Sequence, residues 1–263
     1  MTQPTQKNKK ILGRSFTREK KMPKRLLTLA LLAIILPGCF QPTRVVTTHR
    51  PSPALTADAN RETKISGATP VEEKMIREAL GFLPLTVQQA VRCIYVRGEG
   101  KYAYEDRGIK MDYSLGSVPE KRGGGSRISG RCHSDGTIFL LNTAISHELV
   151  WHETAHAFEN TLSREKFFDW KKLYNKYKSF QSIHSVKFPQ KGILTEYGYT
   201  NEFEDFAVWT EKILLTLVFP KVANPLYNLP DRANPIYLEK LNFFLEIGMI
   251  TDSQHKMLKP LFN

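Results

Sequence analysis

Two histidines and a glutamate stand at a spacing that suits metal chemistry: His152-Glu153-Thr154-Ala155-His156. On an α-helix, residues four apart differ by about 40° in azimuth and one turn in rise, so both imidazoles can reach one tetrahedral ion. Glu153 leaves the helix at another azimuth, near such an ion but unsuited to be its third ligand from the same turn. A carboxylate there can take a proton from a metal-bound water, zinc lowering the pKa of that water to about 7 and Glu153 acting as the base. Ile145, Leu149, His152 and His156 follow one helical stripe, which sets the histidines on the face that meets the core. His147 and His152 make a near-copy at the wrong spacing. Five residues turn the two rings about 140° apart, so His147 reads as a surface or packing residue.

A pair of histidines is not a complete site, because catalytic zinc generally takes three protein ligands and leaves one position open. The compact metzincin spacing is absent, with Glu159 where its glycine would fall and Leu162 where its third histidine would fall. Farther on, Thr195-Glu196-Tyr197-Gly198-Tyr199-Thr200-Asn201-Glu202-Phe203-Glu204-Asp205-Phe206-Ala207 opens a helix rich in carboxylates. Glu202, Glu204 and Asp205 are all candidates for the third ligand, with Glu211 a little beyond. Acidic residues in a first helical turn also occur simply because they face the positive end of the helix dipole.

The HExxH segment together with Tyr-Gly-x-Thr-Asn-Glu-x-Glu-x-Phe-Ala resembles the catalytic domain of anthrax lethal factor and its relatives, gluzincin-type zinc endopeptidases. The likeness spans about residues 71–218 and is specific at 152–156 and 197–207. It implies a zincin-like fold, Zn2+ as cofactor, and His152, His156 and Glu204 as the metal ligands. It further implies Glu153 as general base and Tyr197 as the hydroxyl donor to an oxyanion or leaving group. Read alone, Tyr197 is one packing aromatic among ten tyrosines. Val208 departs from the pattern, since relatives carry a second glutamate there. The resemblance also suggests Thr137–Leu141 as the edge strand that pairs with a substrate backbone.

The elements that must hold these residues are legible in outline. Val71–Leu80 has an amphipathic helical pattern stopped by Gly81, and Cys93–Val96 and Thr137–Leu141 read as strands. Residues 115–136, with glycines at 123, 124 and 125, read as a long surface loop; no Lys-Ser/Thr follows to make a phosphate-binding loop. The active helix is expected over Thr143–Leu162 and a lysine-rich amphipathic helix over Phe167–Ser179, burying Phe167, Trp170, Tyr174 and Tyr177 and solvating its lysines. Further helices are expected at Asn201–Val218, Pro235–Ile247 and Thr251–Leu258. The whole reads as α+β: an active-site helix, a small mixed sheet and a helical C-terminal part. His133, His184 and His255 receive no catalytic role.

Composition places this domain in a compartment. The chain has 263 residues, 41% hydrophobic and 24% charged, with a net charge of +12. Residues 1–38 hold nine Lys/Arg against one Glu, so this segment carries +8 and the remaining chain only +4. That removes the main support for nucleic-acid binding. Lys24 and Arg25 precede the apolar run Leu26–Leu36, too short to span a bilayer but suited to a signal peptide. Leu36-Pro37-Gly38-Cys39 resembles a bacterial lipoprotein box, which implies cleavage before Cys39, a lipid on its thiol and an extracytoplasmic, membrane-anchored protein. Met22 is an alternative start. Residues 39–70, polar and proline-rich, read as a tether, and 71–263 as one metallopeptidase domain. With Cys39 acylated, Cys93 and Cys132 remain as an even pair in an oxidising location, and a disulfide between them is expected, worth roughly 4 kcal/mol in the chain-entropy model.

The function expected is a membrane-tethered zinc endopeptidase acting on peptide or protein substrates. Two alternatives stay open. One is a non-catalytic lipoprotein that keeps zinc for stability or presents a binding surface, which a fourth ligand such as His184 would favour. The other is a metal-dependent hydrolase of a non-peptide substrate.

Overall fold

The computed structural model describes residues 62–106, 109–119, 125–177, 188–189, 192–220, 225–229 and 232–262. The signal segment, Cys39, most of the expected tether and His184 lie outside the described residues. The fold is mixed α+β. Four strands, β1 (Lys64–Ser66), β2 (Cys93–Arg97), β6 (Gly130–Cys132) and β7 (Thr137–Leu141), form a sheet in the order β1-β2-β7-β6. The first three run parallel and β6 is antiparallel to β7. A second, antiparallel sheet holds β3 (Gly100–Asp106), β4 (Ile109–Pro119) and β5 (Gly125–Ile128). The helices are α1 (Pro70–Gly81), α2 (Leu85–Gln89), α3 (His147–Glu159), α4 (Arg164–Tyr177), α5 (Glu202–Val218), α6 (Pro235–Glu246) and α7 (Asp252–Leu258).

Strand β7 is buried on both faces, and alternation explains it. Ile138 and Leu140 enter the main core with Ile94, Val96, Trp151 and Ala155, while Phe139 and Leu141 join a second cluster with Tyr113 and Leu115 of β4. The strand therefore sits in the middle of the sheet. The expectation that Thr137–Leu141 forms an edge is corrected: β6 takes that position. The expected loop over 115–136 is corrected as well. It contains the end of β4, all of β5 and β6, and one tight turn. Gly136 sits in that turn at φ +80°, and a Cβ there would lie 2.2 Å from the Ala90 carbonyl oxygen, so only glycine lets β7 start where it does.

The expected Cys93–Cys132 disulfide is also corrected, because both cysteines are free. Cys93 lies opposite Thr137 and Cys132 opposite Ile138, on strands either side of β7. Two strand spacings put their Cα atoms about 10 Å apart, past the roughly 7 Å limit for a bridge. Adjacent register positions on β7 also send the two side chains to opposite faces of the sheet.

Regular structure is present before the expected domain start at 71. β1 pairs in parallel with β2, and Thr69 with Glu72 makes a capping box on α1. The active helix is shorter than expected: Ser146 caps it by accepting from the Leu149 amide at 3.2 Å, and residues 142–144 form a 3-10 turn. On α4, Trp170 and Tyr174 are buried as expected. Its lysines are tied down rather than merely solvated: Lys166 pairs with Glu246, Lys171 with Glu202 and Lys176 with Glu239.

Candidate metal centre

Helix α3 is set in rotation by its apolar side. Trp151 is fully buried and its indole donates to the Ala79 carbonyl of α1 at 2.9 Å. His147 packs among Phe82, Trp151 and Phe219, consistent with a packing role. With 151, 155 and 158 turned to the core, His152, Glu153 and His156 face α5 and β6.

Helix α5 brings the third group. Asn201 caps it, its side-chain oxygen accepting from the amides of Phe203 and Glu204 at 3.0 Å each. Three carboxylates in that first turn then have three fates. Glu202 pairs with Lys171 at 2.5 Å. Asp205 points into the core onto Lys240, the two side chains 0% and 1% exposed. Glu204 alone faces the histidines: its Oε2 is 3.1 Å from His152 Nε2 and 3.5 Å from His156 Nε2. Ligand-type atoms of His152, His156 and Glu204 all lie within 4.8 Å of one another.

Two imidazoles and a carboxylate are a donor set that can hold zinc. Bonds of about 2.0–2.1 Å in tetrahedral geometry separate ligand atoms by about 3.3 Å; Glu204 stands 3.1 and 3.5 Å from the two histidines, and the three groups as a whole lie within 4.8 Å. Charge fits too, since Glu153, Glu159, Glu204 and Glu211 all gather round the two imidazoles. Burial disfavours protonating His152, but Glu204 and Glu211 outweigh it and hold its pKa up at about 9. His156 is likewise desolvated yet raised to about 10 by Glu159 and Glu204. Burial alone would lift Glu204, and the two histidines pull it well below the usual carboxylate range. The pocket is built to be neutralised by positive charge, from protons or from a dication.

Glu153 is 5% exposed, and burial raises its carboxyl above the ordinary value, the direction a general base near neutral pH needs. Its carboxylate lies directly under β6. A Cβ on Gly130 would come 2.4 Å from Glu153 Oε1, so a glycine here admits the close approach. Tyr197 sits on a turn whose start is pinned by Gly192, the carbonyl of which accepts from Trp209 and Lys240 at 2.8 Å each. Its side chain is 56% exposed, with its ring 5.6 Å from that of His152. Though the residue is largely exposed, partial desolvation of its hydroxyl and then the charge of Glu204 raise the hydroxyl pKa, keeping it a proton donor.

Two cavities meet over this constellation and share Gly130, His152, Glu153 and Tyr197. One of about 360 Å³ continues past Arg131, Asn160 and Phe203; the other of about 610 Å³ continues past Ile128, Ala144 and Leu149. The first runs along β6, lined by Gly130, Arg131 and Cys132, and the second reaches that strand at Gly130. Comparisons of the chain with family models, with curated proteins and with solved structures return no match.

The structure thus brings together His152, Glu153, His156, Tyr197 and Glu204, and separates Glu202 and Asp205 from them. Sequence reasoning missed two carboxylates that touch the histidines, Glu159 and, in this role, Glu211. Glu159 follows His156 by three residues on one helix, a signal that was available. His133 is packed among Tyr104, Tyr113 and Phe139, and His255 meets Asn242 at 2.8 Å.

Proposed function

We propose that the protein is a zinc-dependent endopeptidase of zincin-like fold, held at a bacterial membrane by a lipid on Cys39. The observation that carries the catalytic part is the convergence of His152, His156 and Glu204 within 4.8 Å beside a buried Glu153. Among the described residues this group has three members, the number of protein ligands a catalytic zinc generally takes.

His152, His156 and Glu204 would hold the zinc ion, which when bound would supply Lewis acidity to a scissile carbonyl and to water. Glu153 takes the proton from the attacking water and delivers it to the departing amine, as one base acting twice. The Tyr197 hydroxyl donates a hydrogen bond to the carbonyl oxygen as it gains charge, an interaction stronger in the transition state than in the planar amide. An extended peptide pairing with the outer edge of β6 gains backbone hydrogen bonds there. Cavities on both sides of the reacting centre leave room for chain in both directions, which suits an internal bond.

The lipid anchor rests on the sequence of residues 22–39. Among the described residues no helix is long and apolar enough to cross a membrane.

Cleavage of a peptide library by the parent and by Glu153→Gln tests the proposal. Loss of the base is expected to lower turnover by about 10²–10⁴-fold with bound zinc retained. Equal cleavage by parent and variant, or no cleavage of any peptide by the zinc-loaded parent, contradicts it.

A further inference from the structure

Each imidazole of the centre has two faces with different neighbours. His152 and His156 both turn Nε2 toward Glu204. On the far side, His152 Nδ1 lies 3.5 Å from Glu211 Oε2, and His156 Nδ1 lies 3.6 Å from Glu159 Oε2. The two carboxylates arrive by different routes. Glu159 stands on α3 itself, one turn beyond His156. Glu211 stands on α5, two turns beyond Glu204 and therefore on the same face of that helix. Both are enclosed, Glu159 with its side chain 4% and Glu211 16% exposed. Glu211 is further held through its other oxygen by Lys212, whose amine also reaches Glu148 at 3.2 Å.

An ionised carboxylate accepts hydrogen bonds and cannot donate them, so one placed beside Nδ1 favours the tautomer whose proton sits on that nitrogen. That leaves the Nε2 lone pair of both rings aimed at one point. Neither acid is demanded by the HExxH spacing.

We propose that Glu211 and Glu159 are positioning residues, each fixing the orientation and tautomer of one histidine so that the pair binds zinc tightly. The inference rests on the metal centre proposed above. It assigns to α5 a double duty: Glu204 faces the ion directly, and Glu211 supports the opposing histidine from behind.

Zinc affinity of the full chain, measured by competition with a chromophoric chelator, tests this without reference to turnover. Glu211→Gln and Glu159→Gln are each expected to weaken zinc binding about 10- to 100-fold. Glu202→Gln, which disturbs Lys171 and not a histidine, is expected to match the parent. A second readout is local. In ¹⁵N spectra of the zinc-loaded parent, both imidazoles should carry their proton on Nδ1, and Glu211→Gln should perturb His152 while leaving His156 unchanged. Affinities of both Gln variants equal to the parent, or protons on Nε2, overturn the inference and leave the metal centre standing. A parent that binds no zinc overturns both.

Discussion

Glu202, Glu204 and Asp205 occupy one helical turn, and only Glu204 meets the histidines. The difference lies in partners far away in sequence: Lys171 for Glu202 and Lys240 for Asp205. Residue types within the turn carry no trace of those pairings, which is why the acids alone left the third ligand open and the resemblance had to select it. His152, Glu153 and His156 were legible because their relation is set by helical pitch, a local property. The Asp205–Lys240 pair deserves a quantitative test at this scale. Lys240 is enclosed by Trp170 and Trp209, 4.8 and 5.4 Å from its amine, and donates to the Gly192 carbonyl at 2.8 Å. Lys240→Met leaves a carboxylate buried without this cation, and the urea midpoint should report about 3–5 kcal/mol of lost stability. A Lys240→Met/Asp205→Asn double variant should recover part of that loss, since it removes the stranded charge.

At the scale of elements, β6 and the turn after it carry the weight. Their stretch reads as loop because glycines and charges dominate it, and three-residue strands offer too few positions for a period to show. Partners elsewhere, β7 and β4, decide the outcome. The alternation of Tyr113 and Leu115, both buried, was a visible sign that β4 continues past 115. The disulfide expectation failed for the same reason: register on β7, not cysteine count, sets which side chains can meet. Gly130→Ala gives the sharpest test of β6. The added methyl must displace the Glu153 carboxylate, so turnover is expected to fall at least tenfold while zinc affinity stays near that of the parent; paired assays of cleavage and metal binding separate the two. In the turn, Asp135 accepts from Tyr104 of β3 at 2.6 Å, from Thr137 and from Arg92, tying the two sheets together. Burial opposes its charge, but these donors lower its carboxyl below the usual 3.8. A carboxylate depressed in the folded state adds stability above its unfolded pKa and loses it as pH falls through the folded value. Thermal melts should therefore show the parent losing stability below about pH 4 more steeply than Asp135→Asn, which is less stable at neutral pH and flatter in acid.

For the molecule as a whole, the α+β class and six of the seven α-helices among the described residues were readable from hydrophobic period and caps. What joins them was not, because the site draws on segments about fifty residues apart, and β1, β5, β6 and α2, three to five residues each, are too short to show a period; the longer β3 and β4 were not expected as strands either. The helical C-terminal part turns out to serve the centre: α6 clamps the start of α5 through Lys240 on Asp205, both fully buried, and so fixes Glu204 against α3. Stability of that bundle and metal affinity are thereby expected to rise and fall together.

Metal analysis of the purified full chain tests the central claim most directly. One zinc per chain is expected in the parent and in Glu202→Ala, with zinc lost from Glu204→Ala at the same free-metal concentration. A folded parent that takes up no zinc, or a Glu204→Ala variant that binds it as tightly as the parent, contradicts the account.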